Sequence, residues 1–215
     1  ATTQTDSIQI MAYISKSFSN FYLESTLSYA QNFNDANRHV VVGSIDRIAE
    51  ADYNSNILAA RLAIGFPIKK QGIEILPKAS FNYINLKTDT YTETGAGSMN
   101  LTVDTQALSK YTVKMGINIS KEIQFRGGDI LIPELKTGLS YEMGDDFSTS
   151  SSTFEGGGNA FSTNGLDAED LSGDVGVGLS YITADKITEF NMNYDVNVKS
   201  DYLEQVGLLT LKYKF

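Results

Sequence analysis

Very little in this 215-residue chain is spaced for catalysis or metal binding. The single histidine, His39, follows Arg38 and precedes Val40. A nucleophilic triad or a histidine-dependent protease needs a base held by an orienting partner, and no such pattern surrounds it. His39 is therefore expected to be a solvated loop residue. Asp145-Asp146 and Asp167-Ala-Glu-Asp170 lack the spaced ligands and fixed glycine of a calcium loop, so they read as solvated charge. Arg126-Gly-Gly128 reads as a turn, because a phosphate-cradling loop would continue into Lys-Ser/Thr. The chain has no cysteine, which excludes a disulfide framework and a thiolate metal site. The expectation is a protein that is not an enzyme, with no catalytic residue, cofactor or metal.

The chemistry that remains is electrostatic. Glu24, Arg61, Lys78, Lys114, Glu134, Lys136, Glu142, Asp174, Glu189, Lys212 and Lys214 each alternate with apolar neighbours. Phe21, Leu23, Leu27 and Tyr29 stand opposite Glu24; Leu58, Leu62 and Ile64 stand opposite Arg61. Tyr111, Val113, Met115 and Ile117 flank Lys114, and Leu131, Leu135, Leu139 and Tyr141 flank Glu134 and Lys136. A period of two places these sets on opposite faces of strands. β-Branched and aromatic residues fill the same segments, and helical spacing fits them poorly.

The last strand is the most telling. Counting back from Phe215, the residues Tyr213, Leu211, Leu209 and Gly207 share one face, with Lys214, Lys212 and Thr210 between them. A soluble chain usually frays into polar residues at its end, whereas a strand sealing a membrane-embedded sheet has reason to finish on an aromatic. No window reaches the roughly 18 uninterrupted apolar residues of a spanning helix, but barrel strands need only ~9–11 residues, half of them polar. With the apolar face toward lipid, the eleven charges above would line an aqueous lumen. A net charge of −9 disfavours nucleic acid as a partner. The start, Ala1-Thr-Thr-Gln-Thr-Asp6, has neither the basic nor the apolar region of a secretion signal.

Nine strands are expected, including a first one at Ile8–Ser15 whose faces are less clear. The connections alternate in length. Short ones fall at Lys16–Asn20, Pro67–Gly72, Lys121–Gly128 and Ala184–Lys186. Long ones fall at Gln31–Tyr53, Lys87–Gln106 and Gly144–Ser172, with Lys199–Asp201 a brief exception. Barrels of the outer membrane have short periplasmic turns and long extracellular loops, which puts the carboxyl-terminus on the periplasmic side. Gly144–Ser172, with Thr149-Ser-Ser-Ser-Thr153 and Gly156-Gly-Gly158, is expected to be mobile and solvated. Nine strands raise a parity problem, because first and last then run in the same sense and cannot close an antiparallel barrel. Either residues 1–16 do not span, or the segment lacks an odd number of strands at its start; the even-strand rule favours the second.

Several segments resemble the autotransporter (type V secretion) translocator family. Asn20-Phe-Tyr-Leu-Glu-Ser-Thr-Leu-Ser-Tyr-Ala30 resembles its "gfyldgslgyg" strand, and Arg38 with Asp52-Tyr-Asn-Ser-Asn-Ile57 its Arg…"y.sn.l" element. Ile64-Gly-Phe-Pro67 is similar to "lGYpf", and Ile75-Leu-Pro-Lys-Ala79 with Tyr83 to "l.P.a.l.Y". Tyr91-Thr-Glu-Thr-Gly95, Ile132-Pro-Glu-Leu135, Tyr141-Glu-Met-Gly-Asp145 and the terminal Phe215 continue the pattern in order. The Ile-, Asn-, Lys- and Tyr-rich flavour is reminiscent of rickettsial surface-antigen barrels.

The resemblance implies an all-β antiparallel transmembrane barrel domain over residues 1–215, part of a twelve-stranded barrel with three amino-terminal strands, a linker helix and a passenger absent. It implies an outer-membrane anchor and translocator displaying that upstream passenger at the cell surface. The implied partners are outer-membrane lipid, the barrel-assembly machinery and the chain's own passenger and linker helix. Phe215, Tyr213, Leu211 and Leu209 would form the assembly signal. The alternative is a self-contained small barrel acting as adhesin or narrow porin, closed by residues 18–215 alone. More distant is a soluble β-sandwich or β-clam binding module.

Overall fold

The computed structural model describes residues 1–145, 147–165, 170–200 and 202–215. Asp146 and residues 167–169 of the two acidic runs, and Asp201 of the final short connection, lie outside the described residues. The strands in chain order are Thr2–Ser17 (β1), Tyr22–Val42 (β2), Ile45–Gly65 (β3), Ile68–Lys70 (β4), Ile73–Thr88 (β5), Tyr91–Thr92 (β6), Leu101–Thr105 (β7) and Leu108–Lys121 (β8). They continue with Ile123–Gln124 (β9), Ile130–Gly144 (β10), Thr149–Phe154 (β11), Phe161–Asn164 (β12), Leu171–Ile182 (β13), Thr188–Lys199 (β14) and Tyr202–Tyr213 (β15). Nine long strands pair antiparallel in the order β1-β2-β3-β5-β8-β10-β13-β14-β15, making a curled sheet. The short β4 and β9 pair with β5 and β10 at the turn end. A second, four-stranded sheet runs β12-β11-β7-β6.

Turn chemistry fixes the register at the short connections. Lys70 pairs with Ile73 across Gln71-Gly72, and both turn residues have positive φ, +51° and +76°. That is the geometry of a tight turn whose twist matches the strands it joins. The first strand occupies Thr2–Ser17 and pairs with β2 along its whole length, so residues 1–16 belong to the sheet. Its outer edge and that of β15 meet no other strand among the described residues. Nine alternating strands leave those two edges pointing the same way.

Two expectations about loops need correction. Gln31–Tyr53 is not a loop: β2 and β3 pair continuously from Tyr22–Gly65 to Val42–Ile45, and only Gly43 and Ser44 turn the chain. Gly144–Ser172 is not free loop throughout, because β11 and β12 form a hairpin and β11 pairs with β7. The unbroken backbone ladder, rather than side-chain alternation, holds these segments extended.

The sheet is apolar on the side where a soluble domain would be wet. Met115, Leu139 and Val177 are 64 %, 62 % and 54 % exposed, and among the described residues the buried apolar ones are alanines and valines. Among the described residues no sheet covers that face, which disposes of the soluble sandwich: an apolar surface this continuous marks a membrane or partner contact.

Glycines on the other face let neighbours approach. A Cβ on Gly116 would lie 2.8 Å from the Thr137 carbonyl oxygen, whereas one on Gly207, which lies on the apolar face, would meet nothing within 4 Å. The expected result is that Gly116→Val loses ~1–3 kcal/mol by overpacking against backbone that cannot withdraw. Gly207→Ala should change stability by under ~0.5 kcal/mol. Urea unfolding of the domain in lipid vesicles compares the two.

Candidate functional site

The register brings ten of the eleven predicted lumen charges onto one face. Lys78 pairs with Gly65 and Gly116, Gly116 with Gly138, Gly138 with Asp174, and Asp174 with Asn197. Stepping two residues along each strand keeps to the same face, which therefore also carries Glu24, Arg61, Lys114, Glu134, Lys136, Glu142, Glu189 and Lys212. Lys214 lies just past β15, where its amide donates to the Ile187 carbonyl at 3.0 Å.

Most of these charges interlock. Lys114 Nζ forms an ion pair with Asp174 Oδ1 at 2.6 Å. Lys136 Nζ donates to Asn193 Oδ1 at 2.8 Å and lies 3.5 Å from Asp195 and 3.8 Å from Glu134. Asn118 Nδ2 donates to Glu134 Oε1 at 2.8 Å. Glu142 holds two ammonium groups, Lys199 at 3.0 Å and Lys110 at 3.6 Å, and Lys212 reaches Glu189 at 3.2 Å. Small residues make this possible: a Cβ on Gly138 would lie 2.8 Å from Asp174 Oδ1, so that carboxylate can lean across the neighbouring strand.

Arg61 and Lys78 make no ion pair among the described residues. With Tyr22, Glu24 and Lys114 they line a cavity of about 280 Å³ on this face. Lys110, Asp195 and Lys199 belong to the network but were not among the predicted charges. Their signal was present, since each continues the polar parity of its strand, but Lys110 and Lys199 sit at strand ends where alternation is hard to read.

On the opposite face the register sets Leu209 beside Met192, Leu211 beside Phe190 and Tyr213 beside Thr188. Tyr213 meets Phe215 edge-on, with ring centroids 5.7 Å apart. Phe215 itself is wholly exposed.

Beyond Thr88, where β5 ends, the β2–β3 hairpin projects past the sheet and gathers the long connections. Arg38 Nε donates to Glu93 Oε1 at 2.9 Å, a second bond joins Nη2 to Oε2, and Nη2 also donates to the Met99 carbonyl at 2.9 Å. Glu93 raises the Arg38 pKa further above its ordinary value. Tyr53 and Tyr91 stack with centroids 4.2 Å apart, and burial pushes the Tyr91 phenol pKa up. Val40, Ala49 and Ala96 form a small buried cluster with Met99 against it. His39 sits in β2 rather than in a loop; its Nε2 contacts Asp46, and both side chains are largely exposed. That is an exposed surface pair. Among the described residues, no three His, Asp or Glu side chains are grouped as a metal ion would require.

A sheet with one apolar exposed face and one face of paired charges and glycines is a barrel wall. The family described as "Autotransporter beta-domain" matches residues 1–195. The chain belongs to that family. The autotransporter β-domain is an outer-membrane translocator fold, not an enzyme fold. The chain is 27 % identical over 204 residues to "Outer membrane protein A" of Rickettsia conorii, covering 92 % of this chain and 10 % of that protein. It is 26 % identical to the protein of the same name from Rickettsia rickettsii, of which it covers 9 %. The chain therefore spans about a tenth of the curated relatives it matches. The β domain of the Bordetella autotransporter BrkA superposes with a TM-score of 0.61 at 16 % identity, covering 99 % of this chain and 75 % of that domain. At that identity the likeness concerns the fold.

Proposed function

We propose that this autotransporter β-domain anchors and exports a passenger lying upstream of Ala1, with the charged face as the wall of its bore. The carrying observation is the two-faced sheet: ten predicted charges share the face opposite the exposed Met115, Leu139 and Val177. A charge at mid-bilayer on the lipid side costs ~2–4 kcal/mol, so that face must turn away from lipid. The paired ions keep a wet, polar surface without a large excess of either sign. A linker helix ~10–12 Å wide is the occupant the reading implies.

Strand polarity supports the rest of the reading. The long excursions, 89–107 and 145–170, leave from one end of the sheet and are assigned to the cell exterior. The carboxyl-terminus lies at the other end, assigned to the periplasm. The unpaired edges of β1 and β15 run in the same sense, so an odd number of upstream strands would seal the barrel. Phe215, Tyr213, Leu211 and Leu209 present an unencumbered apolar edge to assembly machinery.

The experiment places an epitope upstream of the barrel and treats intact cells with protease. Cleavage of the epitope in cells, without leakage of periplasmic markers, is the expected result. An epitope that stays protected while the barrel is inserted would refute export. Replacing Phe215 by a polar residue should lower the inserted fraction, and normal insertion of that variant would remove its role as an assembly signal.

A further inference from the structure

We propose that the segment Tyr91–Asn100 is a latched lid across the outer end of the bore, closed in this structure and displaced when a polypeptide passes. The inference rests on the translocator reading above.

The faces carry the argument. By the β2–β3 register, Arg38, Val40, Ala49 and Tyr53 lie on the same face as Arg61 and Glu24. The segment's principal side-chain contacts with the hairpin fall on that face. Glu93 takes the Arg38 guanidinium, Tyr91 stacks on Tyr53, and Ala96, fully buried, packs on Val40 and Ala49. Arg47, also on that face, donates from Nη1 to the Ala96 carbonyl at 3.0 Å. The segment thus runs beside β3 at Glu50–Thr94 and turns Glu93, Tyr91 and Ala96 onto the polar wall and not the lipid side. It also holds the other long excursion, because Asn100 Nδ2 donates to Glu155 Oε2 at 2.9 Å.

The segment is built to detach. It enters after β5 and returns before β8, whose last mutual pair is Leu86–Leu108, so it can swing without breaking the main ladder. One bidentate ion pair, one aromatic stack, a core of small side chains, the Glu50–Thr94 backbone pair and the short β6–β7 pairing hold it. Elements with so few buried apolar contacts open at lower free energy than the sheet they rest on. Gly95 and Gly97 carry φ of +90° and +62°, and a Cβ on Gly95 would lie 2.5 Å from the Ile48 carbonyl oxygen. Only glycine permits that close seat, which places the two flexible residues beside the latch.

Glu50 and Thr94 exchange both backbone hydrogen bonds, at 2.9 and 2.8 Å. Such a pair has Cα atoms ~5.5 Å apart, within the ~4.4–6.8 Å that a disulfide spans. Because the chain has no cysteine, the double variant Glu50→Cys/Thr94→Cys makes one defined lock. It is expressed with the native upstream segment, and surface passenger and the gel shift on boiling are read with and without reductant. The expected result is an inserted barrel whose surface passenger falls to about a tenth of parent when oxidised and recovers on reduction, as for a gate held in one state. An oxidised, inserted variant that displays passenger like the parent would overturn the lid.

If the double variant does not insert, Arg38→Ala in planar bilayers decides instead. Larger or more frequent openings than parent support the lid, and parent-like conductance overturns it. A parent that inserts yet displays no passenger refutes the translocator reading alone, since the conductance of Arg38→Ala still judges the lid.

Discussion

Leu139→Arg should destabilise the inserted domain by ~2–4 kcal/mol, the penalty for a cation at the middle of a lipid-facing strand. Leu139 lies in the middle of the sheet, paired with Met115 and Gly173, and is 62 % exposed. Among the described residues its neighbours on that face are apolar, Met115, Ile117 and Val177, with no counter-charge beside it. Thr112→Arg is the matched control. Thr112 lies on the charged face, paired with Asn82 and with Glu142, whose carboxylate already holds two ammonium groups. A third cation there meets water and an acceptor, so its cost should stay within ~1 kcal/mol, as for an exposed ion pair. Unfolding in lipid vesicles reads both. Equal costs for the two variants would mean that the faces are assigned wrongly.

Arg38→Ala should release the outer segment without unfolding the sheet. The substitution leaves the Glu93 carboxylate, whose side chain is 9 % exposed, with the Leu101 amide as its remaining donor at 2.8 Å. Stranding one partner of a buried pair costs ~3–5 kcal/mol. The 30 % exposure of the Arg38 side chain puts this pair near the lower end. About 3 kcal/mol corresponds to roughly a hundredfold loss of hydrogen-exchange protection. That loss should appear at the amides of Thr94 and Leu101, while those of β8 and β10 stay as in the parent. Unchanged protection at Leu101 would show that the ion pair does not hold the segment.

The main sheet was legible because lipid on one side and water on the other impose a strict period of two. That asymmetry is why the sequence alone assigns Lys114, Glu134, Lys136 and Asp174 to one face. The count of nine strands and its parity consequence followed from the same rhythm. The rhythm fails where both faces meet water or protein. At Gln31-Asn32, Asn34-Asp35 and Asn37-Arg38-His39 polar residues fall on successive positions, so the extended hairpin reads as loop although its backbone ladder is unbroken. The Thr149–Thr153 run has no apolar residue to mark a face, and its strand is held by pairing with β7 alone on one side and β12 on the other.

The Arg38–Glu93 contact spans 55 positions, and nothing local in the chain announces it. The usable signal was Gly43-Ser44 between the apolar runs Val40-Val41-Val42 and Ile45, a tight-turn pattern that marks a hairpin tip. The family pattern marks Arg38 and Tyr91-Thr-Glu-Thr-Gly95 as separate pieces. Only the fold brings them together.

The most direct test of the central claim is the gel mobility of refolded protein, boiled and unboiled, for the 215-residue chain and for a longer form carrying its native upstream segment. The account predicts that the longer form shifts on boiling and the shorter does not, because the edges of β1 and β15 run in the same sense and cannot seal each other. A shift by the 215-residue chain alone, or no shift by the longer form, would contradict it.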